Sequence, residues 1–346
     1  MKRFILIFVF VLCSTFYVSR VSAQSKQSFY DAIIIDVKKN EVTVKFEEGP
    51  LKDKSVQVQT NSENQKNIEY RKGDSVVMTY EKNNKGASNV FIADFKRKNQ
   101  LLVLLLLFLV VVFGIARFRG LLSLIGMMIS FTMITRLIIP NILLGNDPVI
   151  VTLLASLFII PITFFITHGV NKKTTIGIAA TFLSLVLTGI LATLFVNFAK
   201  LTGFAAEEAV YIQNIQGVSL NIKNILLAGI IIGAMGVLDD VTISQTSIVQ
   251  KLREANKDFS FKELYKHAMD IGHDHIASLV NTLALVYAGA SLPLFLLFFN
   301  ANVSYSQVVN QEVVATEIVR TLVSSIGIIA AVPITTLIAV SFYSKR

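Results

Sequence analysis

The sequence predicts an α-helical polytopic membrane protein of seven spans, after signal cleavage, with one small extracytoplasmic all-β domain of OB-like kind. Three observations lead there. Hydrophobic residues fill 53% of the 346 positions and mean hydropathy is +0.62, too apolar for an ordinary soluble chain. The apolar residues are gathered into runs near the ~20 residues that a helix needs to cross hydrocarbon. Ahead of the first long run lies a polar stretch of short alternating segments, the period of strands rather than helices.

The net charge of +9 would suit nucleic acid, but Lys and Arg stand in loops beside apolar runs. That is the orientation signal of membrane proteins, so membrane lipid is an expected partner and nucleic acid is not. Cys13 is the single cysteine, which excludes an intrachain disulfide and a cysteine-built metal site.

Taken in order, Lys2 and Arg3, the apolar run Phe4 to Val18 and Val21-Ser-Ala23 before Gln24 read as a secretory signal cleaved after Ala23. The run is only a little short of a span, so an uncleaved anchor is the other reading. Residues 24–98 form the β domain. Strands are expected at Ala32 to Val37, Glu41 to Phe46, Ser55 to Gln59, Ser75 to Tyr80 and Asn89 to Asp94. Glu48-Gly-Pro50, Asn61-Ser-Glu-Asn64, Lys72-Gly-Asp74 and Asn83-Asn-Lys-Gly86 supply turn chemistry between them. Five short strands suggest a small barrel or sandwich. With no interleaved aromatic and basic set for bases to stack on, docking of envelope proteins is its expected role.

Residues 99–346 form the transmembrane domain. Its spans are expected at Gln100 to Ala116, Leu121 to Ile139, Val149 to Thr167, Thr174 to Phe198, Ile225 to Gln245, His275 to Phe299 and Thr321 to Tyr343. With the β domain outside, the loops at Arg117 to Gly120, His168 to Lys173 and Lys251 to Lys266 and the tail Lys345-Arg346 fall inside, and all are basic. Asp147, Glu207 and Glu208 with only Lys200 and Lys223, and Glu312 and Glu317 fall outside; Lys96-Arg97-Lys98 is the one exception to the rule. This places the protein in a bacterial cell membrane with its C-terminus inside. Loop 247–272 carries a capping box, Ser260 with Glu263, and a hydrophobic staple, Phe259 with Leu264. It reads as two short amphipathic helices at the inner surface.

The candidate site lies in the two spans flanking that loop. Gly229, Gly233, Gly236, Asp240, Ser244 and Ser247 share one helical face, as do Asp274, Ser278, Asn281 with Thr282, Leu285 and Gly289. Such faces are expected to meet each other, protein or a shared cavity rather than lipid. Asp240, with its neighbour Asp239, is the leading candidate because an ionisable group deep in a span is costly and usually functional; the competing reading puts both at a wetted inner interface. Asp239, Asp240, Ser244, Asp274, Asn281 and Thr282 are the expected ion or proton pathway. His273, His275, Gly289 and Pro293 are the expected gating or pH-sensing positions. His267, Asp270 and Asp274 share a helical face, but His273 and His275 point apart, so no metal site is expected.

The stretches Gly233-Ala-Met-Gly-Val-Leu-Asp-Asp240 and Ile271-Gly-His-Asp-His275, the latter continuing to Leu294, resemble the YibE/YibF family of multi-pass bacterial membrane proteins. The order of anchor, β domain and later spans is similar too. At His273 the family commonly has Arg. A weaker similarity to the membrane half of the SecF translocation factor runs through Asp240 and Ile248 to Glu254. The resemblance implies a membrane protein and carries no biochemical activity with it.

No phosphate-binding Gly-rich loop, zincin motif or nucleophile elbow is present, and Gly236-Val-Leu-Asp239 lacks the second glycine of intramembrane aspartyl proteases. The expectation is therefore a non-enzyme without cofactor: a gradient-linked transporter or ion or proton pathway through Asp240. The alternative is a scaffold that docks envelope partners through its β domain.

Overall fold

A computed structural model describes residues 28–38, 41–59, 69–82, 88–205, 207–213, 220–299 and 304–344. The signal or anchor segment and the turns at Asn61 to Asn64 and Asn83 to Gly86 lie outside the described residues. The chain divides into two units, one ending at Arg117 and one beginning at Phe118.

The first unit holds β1 (Ser28–Lys38), β2 (Glu41–Phe46), β3 (Ser55–Gln59), β4 (Ser75–Lys82) and β5 (Ser88–Phe95). All pairings are antiparallel, in the order β3-β2-β1-β4-β5. Strict alternation buries Ala32, Ile34, Val42, Val44, Val76 and Met78 on one face. Register shifts leave Ile35 of β1 and Ala93 of β5 as extra residues, bulges that bend β1 and β5. The sheet curls accordingly into a half-barrel, and its edges, β3 and β5, approach one another. Gly49 turns the chain at φ 87, and a Cβ there would overlap the ring of Tyr30; only glycine meets both demands. Lys96 pairs with Asp31 at 2.6 Å and Arg97 with Asp94 at 2.6 Å. The Arg97 guanidinium, helped by the Phe95 backbone N–H, holds the Asp94 carboxyl below the usual carboxylate range.

Helix α1 (Lys98–Met133) runs through one non-helical residue, Arg117 at φ 52, ψ −138. It continues through a π-helical turn, Ile134–Ile138, into the short α2 (Ile139–Leu143). The rest of the second unit is α3 (Pro148–His168), α4 (Lys172–Phe198), α5 (Glu207–Gln213), α6 (Ile222–Ala255), α7 (Phe261–Ala290), α8 (Leu292–Phe299), α9 (Tyr305–Val309) and α10 (Glu312–Tyr343). Asp147, Asn171 and Asn221 accept backbone hydrogen bonds at the starts of α3, α4 and α6. Ser260 and Glu263 form the reciprocal capping box of α7.

Five stretches are long and apolar enough to span: Lys98–Leu143, α3, α4, α6 and α10; the pair α7 and α8, bent by 65°, makes a sixth. The first two expected spans fall within one 46-residue apolar stretch, in which two helical runs meet at the non-helical Arg117. Loop 247–272 also differs from expectation. Its segments are not separate short helices: the first prolongs α6 to Ala255 and the second opens α7, which passes through Gly272 unbroken. Helices α4, α6 and α10 pack mutually, α3 covers α6, and α7 lies chiefly against α10.

Candidate intramembrane polar site

Helix α6 is the common wall of the bundle. Its buried face carries Leu227, Ile230, Ala234, Leu238 and Val241, and then, in the same register, Thr242, Gln245 and Thr246, all without solvent exposure. The hydroxyls of Thr181 on α4 and Thr242 lie 2.8 Å apart. Gln245 Nε2 donates to the Ala268 carbonyl at 2.9 Å and to Thr336 Oγ1 at 2.8 Å, which ties α6 to α7 and α10. Thr336 donates in turn to the Val332 carbonyl at 2.8 Å and Thr335 to that of Ala331 at 2.6 Å. The Thr335 and Thr336 hydroxyls spend their protons on their own helix, while Gln245 and the Thr181–Thr242 pair make bonds between helices.

Two glycines allow the helices this close. A Cβ on Gly272 would fall 2.7 Å from Val332 Cγ1 and 3.2 Å from Gln245 Nε2. One on Gly327 would overlap the Thr188 hydroxyl. Around this seam Ser184 Oγ, Ser324 Oγ, Gln245 Oε1 and Asp239 Oδ1 are buried without hydrogen-bond partners among the described residues.

The glycine-rich stripe of α6 is turned the other way. Gly229, Gly233, Gly236 and Asp240 are exposed, and the three glycines have open space where a Cβ would stand. The expectation that this stripe packs against the facing helix is therefore corrected. In hydrocarbon no transfer gain favours either face; the side chains of Ile230, Ala234, Leu238 and Val241 make the packing contacts inside the bundle. Helix α7 behaves alike. Leu264, Ala268, Gly272 and Leu283 are buried, while Asp274, Ser278, Asn281, Thr282 and Gly289 are exposed. Thr282 donates to the Ser278 carbonyl at 2.9 Å within its own helix.

Asp239 is half-buried, Asp240 exposed beside it, and Ser244 half-buried one turn on. These three stay together on α6, with Asp240 on the exposed side; Asp274, Asn281 and Thr282 are exposed on α7 and do not enter the seam. His273 is exposed and His275 half-buried, and among the described residues no group of three His, Cys, Asp or Glu stands close enough to hold a metal ion. Pro293 is the second residue of α8, just past the 65° bend that follows Gly289 and Ala290. Arg320 pairs with Glu317 at 2.9 Å.

Sequence reasoning misses Gln245, which ends the expected span Ile225 to Gln245. The signal is present: Leu238, Val241 with Thr242, Gln245 and Val249 recur every three or four residues, so a carboxamide occupies an apolar register. Thr174, Thr181, Ser184 and Thr188 mark the matching face of α4.

Comparison with curated proteins and with solved structures gives no match. The sequence profile of the YibE/F-like protein family matches residues 104–345, which takes in every element of the polar seam, and the chain belongs to the YibE/F-like family.

Proposed function

We propose that the protein is a non-enzymatic, gradient-linked transporter or ion or proton pathway of the bacterial cell membrane, with Asp239 and Asp240 as its ionisable residues. The observation that carries this reading is the Asp239 carboxyl: it sits within a spanning helix and keeps a buried oxygen, Oδ1, without a hydrogen-bond partner among the described residues. A bound cation, or a proton on the carboxyl, satisfies such an acceptor, and its loss leaves a polar atom that the surroundings do not solvate. Asp240, one residue on and exposed, supplies the accessible neighbour through which the ion reaches it. The buried hydroxyls and Gln245 give the helices around Asp239 hydrogen bonds to exchange as it loads and unloads.

The same reading takes seven crossings, with the β domain outside and the C-terminus inside. The 46-residue stretch Lys98–Leu143 would be ~69 Å long as a straight helix, more than twice the ~30 Å hydrocarbon core. Two crossings that turn at Arg117 accommodate it and leave the basic loops inside. For the β domain, the strand order and the approach of β3 to β5 support an OB-like barrel. A second role, docking an envelope partner, is favoured by Phe29 and Phe91, both exposed and facing the same cross-strand neighbour, Thr79.

The test is pH-dependent proton and cation flux into liposomes containing the purified protein under an imposed gradient. Flux in the wild type, lost in Asp239→Asn and reduced in Asp240→Asn with both variants folded and inserted, is the expected result. No flux from well-folded wild type across several ions would overturn the transport reading and leave docking.

A further inference from the structure

We infer that the protein carries a binding site for an anionic phospholipid at the end of the bundle where α4 begins and α6 and α10 finish. A cavity of about 820 Å³ opens there, within the size range of small-ligand sites. Three cations line it, Lys172, Arg253 and Lys257, against one carboxylate, Glu254. Lys172 is the first residue of α4, so the positive end of that helix dipole adds to the attraction for an anion. The negative ends of α6 and α10 border the same space and oppose it, so the net attraction rests on the excess of cations.

Arg253 is held in place rather than free. Its Nη1 donates to the carbonyls of Lys257 and Phe259, each at 2.8 Å, while its Nε is buried with no partner among the described residues. Glu254 is engaged from its own helix by Gln250, whose Nε2 donates to it at 2.7 Å. That bond draws the carboxylate along α6.

Apart from Thr175, whose hydroxyl donates to the Asn171 carbonyl of its own helix start, the other walls are apolar: Ile176, Ala179, Phe342 and the ring of Tyr343. A free inorganic anion has no use for them. A phosphodiester headgroup attached to acyl chains matches both halves, the phosphate among the cations and the glycerol and chain against the apolar wall. Basic clefts between spanning helices are a known way of holding such headgroups. The occupant is therefore a lipid of the surrounding leaflet. This inference needs only that the chain spans a membrane and is independent of transport.

The experiment is native mass spectrometry of the full-length protein purified in a delipidating detergent and supplied with phosphatidylglycerol, phosphatidylcholine or inorganic phosphate. Wild type should retain phosphatidylglycerol and not phosphatidylcholine, with phosphate failing to compete at matched concentration. The pair Lys172→Gln with Lys257→Gln should weaken retention by roughly thirtyfold, while Lys262→Gln with Lys266→Gln, equal in charge but away from the cavity, should not. Ala179→Phe, which fills the cavity without touching a charge, should also release the lipid. Equal loss in both lysine pairs would reduce the effect to general surface charge and overturn the inference. So would retention unchanged by Ala179→Phe, equal retention of phosphatidylcholine, or displacement by phosphate alone.

Discussion

Gln245 shows how one side chain fixes a contact among three helices. Its amide is fully buried and bridges Ala268 on α7 and Thr336 on α10. Replacing it with Leu preserves bulk but leaves the Ala268 carbonyl and the Thr336 hydroxyl without that donor. The expected loss is about 1–3 kcal/mol, read as a lower thermal midpoint of the purified protein. A double-mutant cycle with Thr336→Val isolates the pair, and the coupling should be about 0.6 and no more than ~1.7 kcal/mol, the range found between membrane helices. In the β unit the informative residue is Asp94. Its carboxyl is depressed first by the Arg97 side chain and then by the Phe95 N–H, so its charged form is favoured by folding. The stability it contributes is present above the ordinary carboxylate value of ~3.9 and is lost as pH falls through the depressed value. Arg97→Gln should raise the Asp94 midpoint towards ~3.9 in a carboxyl-carbon NMR titration. A midpoint that does not move would assign the depression to the backbone bond.

Helices obey the same logic through their faces. Glycine at 327 is needed because α4 and α10 meet there with the Thr188 hydroxyl in the space a Cβ would take. Gly327→Ala should therefore destabilise by ~1–3 kcal/mol, and Thr188→Ala should recover much of it, a rescue measurable by thermal unfolding in detergent. The five strands were legible because alternation and turn chemistry coincide: Glu41–Phe46 and Ser55–Gln59 begin and end where the pattern does. The capping box at Ser260 was legible because it needs only four consecutive residues. What the sequence does not carry is which face of a spanning helix turns inward. In water the polar face points out, but in a membrane a glycine stripe such as Gly229, Gly233 and Gly236 and a leucine stripe are both compatible with either side. The periodicity identified the stripe and not its direction. For the candidate site the consequence is specific. Asp239 and Asp240 were legible as ionisable residues within a span, whereas the buried seam around Gln245 became evident only once α4, α6 and α10 were packed together.

At the scale of the whole molecule, crossing number decides on which side every loop lies. A single crossing by Lys98–Leu143 would put the β domain on the same side as Lys172, Lys173 and the basic segment Lys251 to Lys266. It would also relieve the one exception to positive-inside, Lys96-Arg97-Lys98. Against it stands length: Gln100 to Ala116 and Leu121 to Ile139 are each near the ~20 residues of one crossing, and a single pass would leave the other run in water. Arg117 separates the two with a backbone that only glycine adopts readily, φ 52 and ψ −138. Arg119 stands two residues on, so the junction also carries the charge that a cytoplasmic turn prefers. Two crossings predict that position 118 and the β domain face opposite compartments. Because Cys13 is the sole cysteine, Cys13→Ala gives a silent background for single reporters at Phe118, Asp53 and Lys257. An impermeant maleimide applied to intact cells stripped of their outer barrier should label the reporter at position 53. Those at 118 and 257 should react only after the membrane is opened. Labelling at 53 and 257 from the same side would establish the single crossing and move the β domain to the basic side of the membrane.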